Sequence, residues 1–359
     1  MSMQSSGYIL SAEAMRKFTD LRGEAIAAVT ARFYDFFPAA YEQFGEAGRK
    51  GCAEDMGFHL DFMRPALETG LVEPLRDYLR WIENVLESRK IPAEHLGVAM
   101  EWLAEFCASR LPQEDASKLL ALIAATRVAL RDPAPEHPPY FRHMPKPWPQ
   151  TGPFREALVA GDHRRARKIF SESIAAGHGF CETEMHLMQA ALYQIGVLWQ
   201  KNQVTVAQEH LATAICHSIM AGEFAHTEVA EEGNFKAVMA CLEGNHHTVG
   251  LRMVSDALEL SGWEVMFLGA NTPIRALMDM VRESQPHLVG ISVSLPYHLR
   301  TAREAIDTIR ATFGKDSPAI LIGGLSINQF DGVAEMIGAD AYSPDAASAV
   351  RIADFLVTA

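Results

Sequence analysis

The sequence predicts a multidomain protein in which two all-helical parts precede a C-terminal α/β domain with a doubly wound parallel sheet. Two observations support this division. Eight prolines lie between Pro133 and Pro153 and separate two helical regions, and proline lacks the backbone donor that a helix interior needs. From Lys236 onward, short apolar segments alternate with helical segments five times, which is typical of parallel sheets with helices on both faces.

The domain boundaries follow from these shifts in composition. Residues 1–132 form a helical domain, 133–153 an extended linker, 154–232 a bundle of about four helices, and 233–359 the α/β domain. Apolar residues with helical spacing predict these helices in the first domain: Ser11–Phe37, Glu46–Glu68, Leu71–Ser88, Ala93–Leu111 and Glu114–Leu130. Apolar runs bounded by turn residues predict these strands in the last: Lys236–Leu242, His287–Val293, Ala319–Ile322 and Ala339–Ser343.

Composition restricts the classes of partner. The formal net charge of −13 argues against nucleic-acid binding through the surface, because phosphate contacts need a basic face. No apolar run reaches the length of a membrane span, and residues 1–10 lack the features of a signal peptide. The cysteines are scattered without a CxxC pair, which favours reduced thiols and a cytoplasmic location. They are Cys52, Cys107, Cys181, Cys216 and Cys241.

The most informative segment follows the first predicted strand directly and runs from Asn245 to Gly250, with the sequence NHHTVG. His247 is thereby placed at the carboxyl end of a strand, where open parallel sheets bind their ligands. An imidazole there can ligate a metal, and Gly250 lets the following helix pack closely. By itself, a loop histidine is more often a surface residue or a helix cap.

Two further patterns end neighbouring strands. Ser292, Ser294 and Leu295 follow the strand that begins at His287, and their hydroxyls lie at the same sheet edge. Gly323-Gly324 ends the next strand, where backbone without Cβ atoms can lie flush against a large flat ligand.

The ordered set His-x-x-Gly, Ser-x-Ser-Leu and Gly-Gly resembles the base-off, His-on cobalamin-binding domain. Methionine synthase, the B12-dependent mutases and the corrinoid methyl carriers share that domain. The resemblance implies that His247 is the lower axial ligand of cobalt, with the nucleotide tail of the cofactor beside the serines and the Gly-Gly turn. The family usually has Asp two residues before the histidine. Asn245 stands there instead, and its neutral amide is expected to orient the ring but to tune it less.

The helical bundle carries a second pattern, in which Trp199 is followed after nine residues by Glu209 and His210. Alone, these residues are a core aromatic and surface polar groups. Next to a cobalamin domain they resemble the cap of B12-dependent photoreceptors, where Trp, Glu and His surround the 5′-deoxyadenosyl group. The resemblance implies adenosylcobalamin, with Trp199 stacked on the adenosyl group and Glu209 and His210 in polar contact with it.

The N-terminal domain is acidic and has no basic recognition helix. Cys52, Asp55 and His59 share one helix face. Aromatic residues are expected to give an interior suited to a planar pigment: Phe58, Phe62, Trp81 and Trp102. With the B12 module, this globin-like domain resembles the photocobilins, which implies a linear tetrapyrrole, biliverdin. A haem-binding globin with His59 as proximal ligand and a domain without a ligand are the alternatives.

The resemblance predicts a light sensor and not an enzyme. Loss of the adenosyl group in light would change the domain arrangement or the homo-oligomer, and output would run through a separate effector protein. The alternative is a corrinoid methyl carrier of a methyltransferase system. A mutase subunit is disfavoured because no eight-fold barrel sequence is present to hold a substrate.

Overall fold

The computed structural model describes residues 6–129, 144–231 and 233–358. The chain divides after His137 into two compact units. Residues 133–143 of the predicted proline linker lie outside the described residues.

The first unit is helical throughout its described residues, as predicted. Its helices are α1 (Ala12–Asp20), α2 (Arg22–Phe36), α3 (Pro38–Tyr41), α4 (Gly45–Thr69), α5 (Glu73–Ser88), α6 (Glu94–Ala108) and α7 (Gln113–Ala129). The single helix predicted for Ser11–Phe37 is two helices, because Leu21 ends α1 with its N–H bonded to Lys17 and Thr19. The globin-like arrangement stays a prediction.

The second unit begins with the predicted bundle. It comprises α8 (Thr151–Val159), α9 (His163–Ala175), α10 (Phe180–Thr183), α11 (Ala190–Gln200) and α12 (Val206–Phe224). A π-helical turn, Glu184–Gln189, joins α10 to α11, so that these form one irregular helix. Thr205 starts α12 through a capping box with Gln208. The linker ends earlier than predicted, because Pro153 sits in the first turn of α8, where a missing N–H costs nothing.

The C-terminal part is a five-stranded parallel sheet with alternating helices, which confirms the predicted α/β class. Its elements are β1 (Lys236–Leu242), α13 (Val249–Leu260), β2 (Glu264–Thr272), α14 (Ile274–Ser284), β3 (Leu288–Ser292), α15 (Leu299–Phe313), β4 (Ala319–Gly323), α16 (Leu325–Gln329), α17 (Val333–Met336), β5 (Ala341–Tyr342) and α18 (Ala346–Thr358). The strand order is β2-β1-β3-β4-β5. The order reverses between β1 and β3, and such a switch point opens a crevice at the carboxyl edge.

The bundle packs directly on the sheet domain. One apolar core unites buried bundle residues, such as Phe154 and Leu187, with Met253 and Ala257 of α13 and Ala346 of α18. Close packing on α13 fixes the bundle above the carboxyl edge of the sheet. Among the described residues, no helix is long and apolar enough to cross a membrane.

Candidate functional site

A cavity of about 780 Å³ lies between the bundle and the carboxyl edge of the sheet. Its volume is within the range of small-molecule and cofactor sites. The register of the parallel strands brings their carboxyl ends together at this cavity: Cys241 of β1 pairs with Ser292 of β3, and Ser292 pairs with Gly323 of β4. Residues predicted from three separate segments line this one cavity: His247, Gly250, Ser292, Ser294, Leu295, Gly323 and Gly324.

Asn245 holds the loop that carries His247. It is 1% exposed; its Oδ1 accepts the backbone N–H of His247 at 3.1 Å, and its Nδ2 donates to the carbonyl of Ser292 at 2.8 Å. The prediction that this amide orients the imidazole is therefore wrong, because both ends of the side chain are bonded to backbone. Asn245 instead ties the β1–α13 loop to β3.

The His247 side chain is exposed to the cavity. Surrounding protein nevertheless lowers its pKa by desolvation, and the charge of Glu209 acts in the opposite direction. The ring lines the cavity with part of its surface accessible, while enough protein surrounds it to disfavour the charged form. A lowered pKa keeps the imidazole neutral near pH 7, the form in which a ring nitrogen can ligate a metal.

The glycines of the site have different roles. Gly324 has φ +100°, and a Cβ there would lie 2.6 Å from the carbonyl oxygen of Val293. A side chain is thus excluded by both backbone conformation and contact. Gly250 was predicted to allow close helix packing, but a Cβ there would meet nothing within 4 Å. Its missing side chain leaves space in the cavity itself.

The bundle contributes a polar stripe, which consists of Glu209, Thr213 and His217 at every fourth position of α12 and lines the cavity. Thr213 donates to Glu209 Oε1 at 3.2 Å, and Glu209 Oε2 lies 2.6 Å from Nδ1 of His210. His217 Nε2 lies 3.1 Å from the hydroxyl of Thr248, next to His247. Thr213 and His217 were not predicted as site residues, although the i, i+4, i+8 spacing from Glu209 marks one helix face.

Trp199 differs from its predicted place. It is half-buried on α11 and is not among the described residues that line the cavity. One turn earlier, Gly196 and the nearby Leu192 and Tyr193 line it instead. The structure thus brings Glu209 and His210 to the cavity but not the indole.

Another histidine near the site, His298, was also not predicted. It is buried, its ring lies near the backbone of Gly244, and burial lowers its pKa to about 4. The charge of His247 acts in the same direction, which places the two rings in one electrostatic environment. Only the fold brings His298 there, because it follows β3 and no local motif includes it.

The residues predicted for a pigment lie together on α4 of the first unit. Burial, followed by the charge of Asp55, raises the pKa of Cys52 to about 11, and burial raises that of Asp55 to about 6. His59 is buried, with Nδ1 2.7 Å from the hydroxyl of Tyr78. Of the aromatic residues expected inside, Phe58 is 45% exposed, and its predicted place in the interior is wrong.

Comparisons with known proteins agree with this geometry. Residues 235–351 match a B12 binding domain, and residues 153–221 match a second B12 binding domain model. Dimethylamine corrinoid protein 1 of Methanosarcina mazei is 28% identical over 174 residues, which cover 47% of this chain and 79% of the relative. Trimethylamine corrinoid protein of Methanosarcina barkeri is 22% identical, with 55% and 91% covered. The solved monomethylamine corrinoid protein of Methanosarcina barkeri has a TM-score of 0.50 at 20% identity, over 56% of this chain and 95% of that one.

These matches correct part of the sequence analysis. The prediction that the chain has no part in catalysis is wrong, because the relatives are methylamine corrinoid proteins. The predicted light sensing draws no support from these matches. The photocobilin resemblance, adenosyl form, biliverdin, light-dependent assembly and effector partner draw no support from them. The solved structure shows the shared fold alone. The chain therefore contains a cobalamin-binding module, formed by B12 binding domains that span the bundle and the parallel sheet.

Proposed function

We propose that this chain is a corrinoid methyl carrier, which binds cobalamin between bundle and sheet and passes methyl groups between partner methyltransferases. The observation that carries the proposal is the cavity of about 780 Å³, with the open imidazole of His247 on the sheet side and the bundle opposite. The names of the relatives, all methylamine corrinoid proteins, support the choice of this class. When bound, the corrinoid supplies a cobalt centre that accepts and donates methyl groups.

The residues on the sheet side fit such a cofactor. In this proposal, His247 would ligate the cobalt, and the loop held by Asn245 would keep the imidazole on the sheet side of the cavity. Ser292 and Ser294 offer hydroxyls to the nucleotide tail, and Gly324, where a Cβ would clash, leaves backbone against it.

The bundle side supports the methyl form over the adenosyl form. Trp199, predicted to stack on an adenine, is not among the described residues of the lining, where the aromatic side chain of α11 is that of Tyr193. Leu192 and Gly196 supply small apolar cover, and Thr213 and His217 line the same cavity with polar groups. A methyl group needs no more than this cover.

The test compares ligands directly. The full chain is titrated in dim red light with methylcobalamin and adenosylcobalamin, and light scattering measures its mass before and after illumination. We expect methylcobalamin to bind at least as tightly as adenosylcobalamin, with no change of assembly in light. Adenosylcobalamin bound more than about tenfold more tightly, a difference of about 1.4 kcal/mol, together with a light-dependent assembly, would contradict the proposal.

A further inference from the structure

Two carboxyl groups are buried where the bundle packs on α13. Glu184 is the first residue of the π-helical turn of the bundle, and Asp256 lies on α13. Both residues are 0% exposed. Their four oxygens have no hydrogen-bond partner among the described residues, although Arg252 Nη2 forms an ion pair with Asp256 Oδ1 at 2.5 Å. The surroundings are otherwise an apolar core, which makes unpaired carboxylates costly there.

Charge balance shows how the pair is tolerated. Two carboxylates facing one arginine leave a net negative charge in an apolar interface, and one shared proton removes it. Neither carboxylate carries a hydrogen to donate, so the pair, although close enough to share one, forms no hydrogen bond until one group is protonated. A π-helical turn at Glu184 is a local irregularity of the kind often found at functional positions.

We propose that Glu184 and Asp256 share one proton, and that the resulting acid–carboxylate hydrogen bond is a pH-dependent latch between the bundle and the sheet domain. Loss of the proton breaks one O–H bond, sends the proton to solvent and leaves two facing carboxylates. Repulsion between them then loosens the bundle from α13, while Arg252 stays paired with Asp256. The role of the latch rests on the proposed function. A methyl carrier must expose its cofactor to partner proteins, and this latch sets how readily the bundle separates from the sheet domain.

The neighbouring groups do not replace the proton. Arg252 is also 3.9 Å from Glu259 on α13, so its charge is divided between two acids. His217 of α12 has a pKa lowered by burial and by Arg252, which keeps it neutral. The Cys181 thiol of α10 has its pKa raised to about 12 by burial and by both carboxyl groups, so it is also neutral.

The sign of the pH effect follows from burial. Desolvation raises the pKa of Glu184 well above 4.5, and that of Asp256 above 3.8. A carboxyl whose pKa is raised on folding stabilises the folded interface at low pH, and this stability is lost as pH rises through the raised value. The latch therefore holds in mildly acidic solution and weakens toward alkaline pH.

Hydrogen-exchange mass spectrometry of the full chain without corrinoid tests this directly, in peptides from residues 180–189 and 249–260. After correction for chemical exchange, we expect protection in the wild type to fall by at least about tenfold between pH 5 and pH 9. Glu184→Gln, whose amide donates to Asp256 at every pH, is expected to change by less than about threefold. Glu172→Gln, at an exposed acid of α9 paired with Lys168, is the matched control and should follow the wild type.

Glu184→Met, which has no titratable group, is the second variant and carries the test if the Gln variant unfolds. The proposal is overturned if wild-type protection is independent of pH, or if the neutral variants show the wild-type slope. Because no corrinoid is present, that result leaves the methyl-carrier proposal standing, and a failure of corrinoid binding leaves the latch measurement readable.

Discussion

Replacing Asn245 with alanine tests how the His247 loop is held. The change removes two hydrogen bonds from a side chain that is 1% exposed, one from the His247 N–H and one to the Ser292 carbonyl. A buried polar group left without a partner costs about 1–3 kcal/mol. The His247 N–H and the Ser292 carbonyl both lose this side-chain partner. We therefore expect a local loss of about 2 kcal/mol in Asn245→Ala.

Two assays measure this loss. Hydrogen exchange in residues 241–250 gives the local opening free energy, and titration with hydroxocobalamin gives the affinity. If the loss leaves the loop open in about nine of ten free molecules, affinity decreases about tenfold, because apparent affinity scales with the binding-competent fraction. Asn234→Ala, at an exposed asparagine just before β1, is the matched control and should change neither quantity.

Asn245→Asp separates the two bonds. A carboxylate still accepts from His247 but cannot donate to Ser292, so the variant is expected to be destabilised at neutral pH. Burial raises the pKa of such an acid, and protonation restores a donor; the defect should therefore shrink as pH falls. An Asn245→Ala protein with unchanged exchange and affinity, or an Asn245→Asp protein without pH dependence, would refute the reasoning.

Three further changes test other parts of the account. Gly324→Ala should lower the free energy of unfolding in urea by about 2 kcal/mol or more, because φ is +100° and a Cβ meets Val293. Gly23→Ala, where a Cβ meets nothing within 4 Å, is the control, and equal effects of the two changes would disprove the clash. Tyr193→Ala should lower cobalamin affinity, while Trp199→Ala should leave it within about twofold, because of these two residues only Tyr193 is among the described cavity residues. A larger loss of affinity in Trp199→Ala than in Tyr193→Ala would support the predicted stacking of Trp199 on the cofactor. Burial lowers the pKa of His59 to about 4, so this residue contributes up to about 3 kcal/mol of stability that is lost as pH falls from 6.5 through 4. Hydrogen exchange in α4 should show this loss in the wild type and a smaller one in His59→Gln. The same pH dependence in both proteins would exclude His59 as the cause.

The sheet edge was predictable because its information is local. Each of His247, Ser292 and Gly323 directly follows an apolar strand, and parallel strands bring their carboxyl ends to one edge whatever the details of packing. The pairing of Asn245 with backbone was not predictable, because a motif gives spacing and not the direction of a side chain. The same limit applies to Gly250, whose open surroundings depend on where the bundle sits.

The bundle shows where sequence patterns fail. Trp199 and Glu209 stand on different helices, so their spacing along the chain does not tell whether both face one cavity. Gly196 of α11 lines the cavity, and Trp199 is not among its described lining residues. The Glu184–Asp256 pair could not be predicted from the sequence either, because the two acids are 72 residues apart and meet only when the bundle packs on α13.

The central claim is that His247 ligates the cobalt of the bound corrinoid. Electron paramagnetic resonance of bound cob(II)alamin measures this, because one axial nitrogen splits the cobalt lines according to its isotope. With protein labelled with 15N at histidine, we predict a change from triplets to doublets, which persists in His246→Ala and disappears in His247→Ala. Triplets that survive the labelling would show that the axial nitrogen belongs to the cofactor's own base, and would contradict the assignment of His247.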